Sequence, residues 1–182
     1  MANDDRVSSL QMSTDKPKTQ SRYVIGIDPG LKGGVVILDR NGALCEAIPM
    51  PSNEDLAELS DWIHKENGEV WIEDVWSIPG WGSKSSFGFG YHIGQLHLIF
   101  YDCRLVQPKV WQKDLWIPGT RLKDAKAKSF EAASQYWPHM KWLASGRSKK
   151  PHDGMIDAAL IAMYGVAHGN GSRIPRTRRA DA

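Results

Sequence analysis

The sequence predicts an α/β fold whose sheet opens as an antiparallel meander. Three observations point to it. Three short apolar runs follow one another near the N-terminus, over residues 23–28, 33–38 and 43–48, with turn residues between them. The second and third are joined by Asp39-Arg40-Asn41-Gly42, a hairpin turn with Asn-Gly at its tip. Beyond residue 50 the pattern turns to helical spacing, interrupted by two further strand-like runs.

Each element has a local cause. Tyr23-Val-Ile-Gly-Ile-Asp28 reads as a buried strand that stops at Pro29-Gly30. Ser52-Asn53-Glu54-Asp55 opens a helix to about residue 66, with Leu56, Leu59, Trp62 and Ile63 at helical spacing, and Gly68 stops it. Residues 69–75 form a fourth strand. A Gly/Ser/aromatic loop is expected over 77–88, a helix over 89–100 and a strand over 104–107. Pro108 starts a helical turn through Leu115. Residues 121–136 read as a basic amphipathic helix, 137–151 as an irregular basic segment, and 152–168 as a final apolar helix. No internal repeat is present.

With 182 residues, 41% of them hydrophobic, the chain suits one domain with a real core. Residues 1–21 are polar and predict a disordered arm. Residues 170–182 carry four arginines against one aspartate and predict a flexible basic tail. The folded domain then spans 22–169. Lys+Arg total 23 and Asp+Glu 21, for a net charge of +2. That balance excludes a polycation and an acidic disordered chain, and leaves room for nucleic-acid binding through a local basic patch. The apolar stretches fall short of the roughly 18 residues of a membrane helix, so a soluble protein is expected. The first twenty residues hold Asp4, Asp5 and Asp15 and no apolar core, which fits neither a secretory signal nor a transit peptide. Cys45 and Cys103 make no disulfide framework and no CxxC pair. Both lie in strand-like runs and are expected as buried thiols in a reducing compartment.

Carboxylates stand where chemistry can use them. Asp28 ends the first strand, at the side of an α/β sheet where function gathers, although Asp-Pro-Gly is also a common turn triplet. Glu73 lies inside Val70-Trp-Ile-Glu-Asp-Val-Trp76, where an acid needs a partner or a metal unless the strand is a solvated edge. Asp153 and Asp157 are four apart and share a helix face, so they repel each other. Helix N-terminal charge complementarity explains Asp153 but not Asp157, a turn deeper among apolar residues. Asp28, Glu73, Asp153 and Asp157 form an all-oxygen set suited to Mg²⁺ or Mn²⁺. Two such ions can activate a water and stabilise the leaving oxygen of a phosphodiester. Between residues 109 and 150 ten Lys/Arg stand against three acids, a candidate phosphate-facing surface or, residue by residue, a solvated face.

These residues carry a resemblance. Val24-Ile-Gly-Ile-Asp-Pro-Gly30, Val70-Trp-Ile-Glu-Asp-Val75 and His152-Asp-Gly-Met-Ile-Asp-Ala-Ala-Leu-Ile-Ala162 resemble, in order and spacing, the RuvC-type Holliday-junction resolvases of the ribonuclease-H-like superfamily, over about residues 22–168. The loop Gly80-Trp-Gly-Ser-Lys-Ser-Ser-Phe-Gly-Phe-Gly-Tyr91 is similar to that of the chloroplast branch and its phage and bacterial relatives. The three aspartates of the arm argue against a plastid product, so a phage or bacterial source and a cytoplasmic location are expected.

The resemblance implies a mixed five-stranded sheet, three antiparallel strands then two parallel, flanked by helices. It implies a structure-selective endonuclease that nicks opposing strands of a four-way DNA junction, as a homodimer, with two Mg²⁺ or Mn²⁺ ions per site. Asp28, Glu73 and Asp157 match three catalytic, metal-holding acids. The bacterial family places the fourth three residues before the last, where this chain has Gly154; Asp153 substitutes by position, and His152 is the other candidate. Lys123 resembles a functional family lysine. A second aligns with Gln112, beside Lys113. The implied DNA-binding set is Lys32, Trp81, Lys84, Phe87, Lys109, Lys113, Lys123, Lys126, Lys149 and Lys150, with Trp76, Phe89 and Tyr91 as further stacking candidates. The helix of residues 91–100 is the expected dimer face. Rival readings are a ribonuclease-H-like nuclease for other branched DNA or RNA–DNA hybrid, a catalytically silent junction binder, and a sugar-kinase/actin-like nucleotide binder. The last needs two such domains and a second phosphate loop, and the chain shows neither.

Overall fold

β1 (Tyr23–Asp28), β2 (Gly34–Asp39) and β3 (Leu44–Pro49) form the antiparallel meander. The computed structural model describes residues 21–75, 82–121 and 124–169. The β2–β3 turn closes on the Asp39 carboxylate, which accepts the backbone N–H of Asn41 and of Ala43, each at 2.8 Å. Gly42 takes the positive φ of 83° in that turn. Ser52 and Asp55 form a capping box that starts α1 (Asn53–Lys65). The chain then enters β4 (Glu69–Glu73), parallel to β1. After α2 (Ser83–Ile99) comes β5 (Arg104–Val106), parallel to β4. α3 (Pro108–Leu115), α4 (Ala125–Tyr136) and α5 (Asp153–His168) complete the order. The sheet runs β3-β2-β1-β4-β5, three antiparallel strands and then two parallel ones, as expected.

The pleat sorts side chains between two cores. Ile25, Ile27, Val70 and Ile72 pack with Leu56, Ile63, Leu96 and Phe100 under α1 and α2. Val24, Val36 and Trp71 pack on the other face with α5, Trp111, Ala132 and Ala133. α5 is apolar nearly all round, and Met155, Ile156 and the run from Ala158 to Met163 are buried. Gly26 lets it lie close to the sheet, because a Cβ there would overlap the backbone of Ala158 and Ala162. By the same period of two, Asp28 and Glu73 face the α5 side.

Four expectations need correction. The loop expected over 77–88 is already helical from Ser83, and α2 contains Gly88, Gly90 and Gly94. Glycine lowers helix propensity by only about 1 kcal/mol, which an otherwise continuous backbone ladder tolerates. The helix expected from residue 121 starts at Ala125, because Asp124 caps it by accepting the Lys126 N–H at 3.3 Å. The fourth strand ends at Glu73, short of residue 75. Neither cysteine is buried: Cys45 is exposed on the edge strand β3 and Cys103 half-buried before β5. The expectations for the arm and the tail fall on residues 1–20 and 170–182, outside the described residues. Ser21 is buried, and its hydroxyl donates to Glu69 Oε2 at 3.5 Å. Among the described residues no helix is long and apolar enough to cross a membrane.

Candidate active site

Asp28 and Glu73 end neighbouring parallel strands. The register that pairs Ile27 with Ile72 sets the two acids side by side at one sheet edge, on one face. α5 arrives over that face N-terminus first. Its first turn is tied to the β1–β2 connection by a backbone bridge between Gly33 and Gly154. A Cβ on Gly154 would overlap the backbone of Lys32 and Gly33. This close approach accounts for a glycine where the resemblance places an acid. Asp153 and Asp157 stand on either side of the contact in sequence. His152 is the N-cap of α5, its Nδ1 accepting the Met155 N–H at 3.3 Å, so its ring is engaged in starting the helix.

The four acids feel one another. Burial, then the charges of Glu73, Asp157 and Asp153, push the Asp28 carboxyl well above the usual range. Burial lifts Glu73 to about 7, with Asp157 adding to it and a hydrogen bond from Trp111 opposing it. Burial lifts Asp157 to about 6, with Ser129 hydrogen bonding and the Lys126 charge opposing and Asp153 adding. Asp153 is the outermost, and its Oδ2 accepts the Lys126 ammonium.

Several side chains hold these acids in place. The Trp111 indole N–H donates to Glu73 Oε1 at 2.8 Å. Trp116 Nε1 donates to Ser129 Oγ at 3.3 Å, and Ser129 is buried. Nothing in the spacing of these residues marks them as partners of the acids, because each is brought there by helix packing. The one local signal is Pro108, which opens α3 and fixes where Trp111 falls in its first turn.

Among the described residues no three His, Cys, Asp or Glu side chains stand close enough together to hold a metal ion. Glu73 is turned to Trp111, and Asp153 to Lys126. The chemistry of the set nonetheless fits a hard divalent cation. All four donors are carboxylates, buried Asp157 Oδ1 has no hydrogen-bond partner, and burial with mutual repulsion raises the inner acids.

The basic candidates fall on several elements. Lys32 is exposed in the β1–β2 connection, beside Gly33. Lys109 and Lys113 are exposed at i and i+4 on α3. Lys126 is on the first turn of α4 and serves Asp153, and Lys128 lies over the Trp116 ring at 5.2 Å. Lys149 and Lys150 are exposed just before α5, and Lys84 and Phe87 on the first turns of α2. Phe89 is half-buried and Tyr91 exposed on α2. Trp76, Trp81 and Lys123 lie outside the described residues.

No family profile matches the chain, and no curated protein matches it. Among solved structures, the chain is similar to RuvC of T. thermophilus in complex with Holliday junction substrate, at a TM-score of 0.52 and 15% identity, covering 80% of this chain and 93% of that one. It is also similar to a Thermus thermophilus RuvC structure, at a TM-score of 0.48 and 18% identity, covering 80% and 94%. What the first likeness shows is the fold: a mixed five-stranded α/β sheet of the ribonuclease-H-like kind.

Proposed function

We propose that this chain is a RuvC-type Holliday-junction resolvase, a metal-dependent endonuclease serving DNA recombination and repair. The observation that carries the reading is the position of Asp28 and Glu73 at neighbouring strand ends, facing the α5 that bears Asp153 and Asp157, with Asp28, Glu73 and Asp157 raised by burial and by the charge of other acids of the set. Its fold is that of a protein solved on a Holliday junction. Asp28, the most central acid, would hold the divalent cations together with Glu73, Asp153 and Asp157. Mg²⁺ or Mn²⁺, when bound, supplies an activated water and stabilises the leaving oxygen.

The chain's own residues do the remaining work. With a cation bound, the four carboxylates would be ionised. Lys126, paired with Asp153 in the metal-free site, would then be available to a phosphate. Lys32, Lys84, Lys109, Lys113, Lys149 and Lys150, with Lys123, neutralise backbone phosphates. Phe87 and Trp81 offer stacking faces to bases near the branch. Hydrolysis is direct and leaves 5′-phosphate and 3′-hydroxyl ends.

Cutting two opposing strands calls for two copies. Tyr91, Gly94 and Leu98 follow one another at helical spacing on α2, and the two large side chains are 63% and 82% exposed. That stripe is assigned to a symmetric contact with a second copy. The place of action is the cytoplasm of a bacterial cell, host or phage-infected.

The test is an immobile four-way junction, end-labelled on each strand in turn, with linear duplex and RNA–DNA hybrid as controls. Paired symmetric nicks in Mg²⁺ that vanish in Asp28→Asn establish the reading. Junction binding without cleavage, or equal cleavage of every substrate, overturns it.

A further inference from the structure

Two tryptophans that belong to neither the acid set nor the DNA face meet edge to face beside the acids. The ring centroids of Trp111 and Trp116 are 6.3 Å apart, with their planes at 87°. Trp111 is buried on α3, and Trp116 caps the C-terminus of that helix. One spends its single donor on an acid and the other on a serine beside one. The Trp111 N–H meets Glu73 Oε1 at 2.8 Å. The Trp116 N–H meets Ser129 Oγ at 3.3 Å, and Ser129 lies on α4, the helix packed against the α5 that carries Asp157.

We propose that Trp111 is a positioning residue for Glu73, and that Trp116, braced on Trp111 and holding Ser129, steadies the Asp157 side from the same helix. The topology explains why one short helix reaches both. Val106 pairs with Glu73 across β4 and β5, and the Asp74 N–H donates to the Val106 carbonyl at 2.8 Å. The chain therefore leaves β5 abreast of Glu73, turns at Gln107-Pro108, and returns Trp111 over that acid within one turn. A buried carboxylate with a free rotor has several orientations, and a fixed N–H donor selects one. Indole is suited to the task because it donates and never accepts, so its hydrogen bond favours the charged carboxylate that a cation requires. Lysine or arginine there would add a competing positive charge.

This inference rests on the metal-dependent nuclease reading, and the experiment separates the two. Trp111→Phe keeps the ring and removes the donor. Direct Mn²⁺ binding by calorimetry and the Mn²⁺ dependence of junction cleavage are measured on the full chain, with thermal melting and circular dichroism as fold controls. Outer-shell donors of this kind are worth about 10-fold or more in metal affinity. Trp111→Phe is expected to weaken Mn²⁺ binding by about 10-fold, and to raise the half-saturating Mn²⁺ concentration more than it lowers the maximal rate. Trp116→Phe is expected to weaken binding less, and to add nothing in a Ser129→Ala background if it acts through that hydroxyl. A folded Trp111→Phe that binds Mn²⁺ like the wild type overturns the positioning role. An additive Trp116→Phe effect in Ser129→Ala overturns the relay. If Glu73→Gln and Asp28→Asn also leave Mn²⁺ binding untouched, the nuclease reading itself fails, an outcome distinct from failure of the tryptophan brace alone.

Discussion

The ammonium of Lys126 is the counter-ion of Asp153, across 27 residues and from a different helix. The pair answers the repulsion of two aspartates one turn apart on α5. It places a protein cation next to the carboxylate assigned to a metal. The side chains are 67% and 47% exposed, and such pairs contribute about 0.2–1 kcal/mol. Lys126→Met is therefore expected to tighten Mn²⁺ binding by no more than about fivefold, with the gain shrinking in salt. Junction affinity falls in the same variant, because a phosphate partner is lost. Calorimetry at two ionic strengths checks this, and weaker Mn²⁺ binding in the variant would reverse the assignment of Lys126 as a competitor.

The raised acids make metal-free stability depend on pH with a definite sign. Glu73 is lifted from 4.5 to about 7 and Asp157 from 3.8 to about 6, and Asp28 is raised well above its usual value in the same direction. Between about pH 4 and 7 the unfolded chain has released protons that the folded chain keeps. Stability is then full at the low end, falls as pH rises through the window, and levels off once the folded acids have ionised. Glu73 alone contributes on the order of 3 kcal/mol to this loss. Thermal melts in chelator are expected to show a midpoint several degrees higher near pH 5 than near pH 7.5. A midpoint that climbs through that window contradicts the burial of these acids.

Asp28→Asn tests the same physics together with the chemistry. Asparagine keeps the shape and cannot ionise. Cleavage is expected to fall below detection, and the metal-free protein to melt at a higher temperature than wild type at neutral pH, with the gap widening as pH rises. An inactive variant that is also less stable would point to a structural role for the acid. Activity and melting are read on one preparation.

Much of this arrangement is legible in the amino-acid sequence. Asp28, Glu73 and Asp157 stand at strand ends or deep in an apolar helix, positions where a carboxylate needs a reason. The meander declares itself through Asn41-Gly42 and the three apolar runs. The start of α2 is hidden, because Gly88, Gly90 and Gly94 read as breakers when each lowers helix stability only slightly. The exposure of Cys45 is hidden too, since strand composition does not reveal which strand forms the sheet edge. The brace of Trp111 and Trp116 depends on how α3 and α4 pack against the sheet, a long-range relation that no local spacing encodes.

The exposed stripe on α2 predicts an oligomer that one charge can break. Leu98 is 82% exposed and lies in line with Tyr91. Leu98→Glu is expected to convert a dimer to a monomer in sedimentation or light scattering, with the fold intact. Its single nicks on a junction then lose their pairing on opposing strands. A wild-type chain that is already monomeric at micromolar concentration removes this assignment for α2.

Gly154 gives the sharpest packing test. The backbone bridge to Gly33 leaves no space for a Cβ, which would fall on the carbonyl of Lys32 and the backbone of Gly33. Neither neighbour is a flexible side chain that can step aside. Overpacking at such a site costs about 1–3 kcal/mol, so Gly154→Ala is expected to lower the melting midpoint clearly. The same displacement moves the first turn of α5 away from the β1–β2 connection, and with it Asp153 and Asp157 relative to Asp28. Mn²⁺ affinity then falls even at temperatures where the variant remains folded. Gly154→Asp carries the same clash, so an acid placed there does not compensate Asp153→Asn. If the Gly154→Asp, Asp153→Asn double variant cleaves junctions, the contact with Lys32 and Gly33 does not bar a working acid at residue 154.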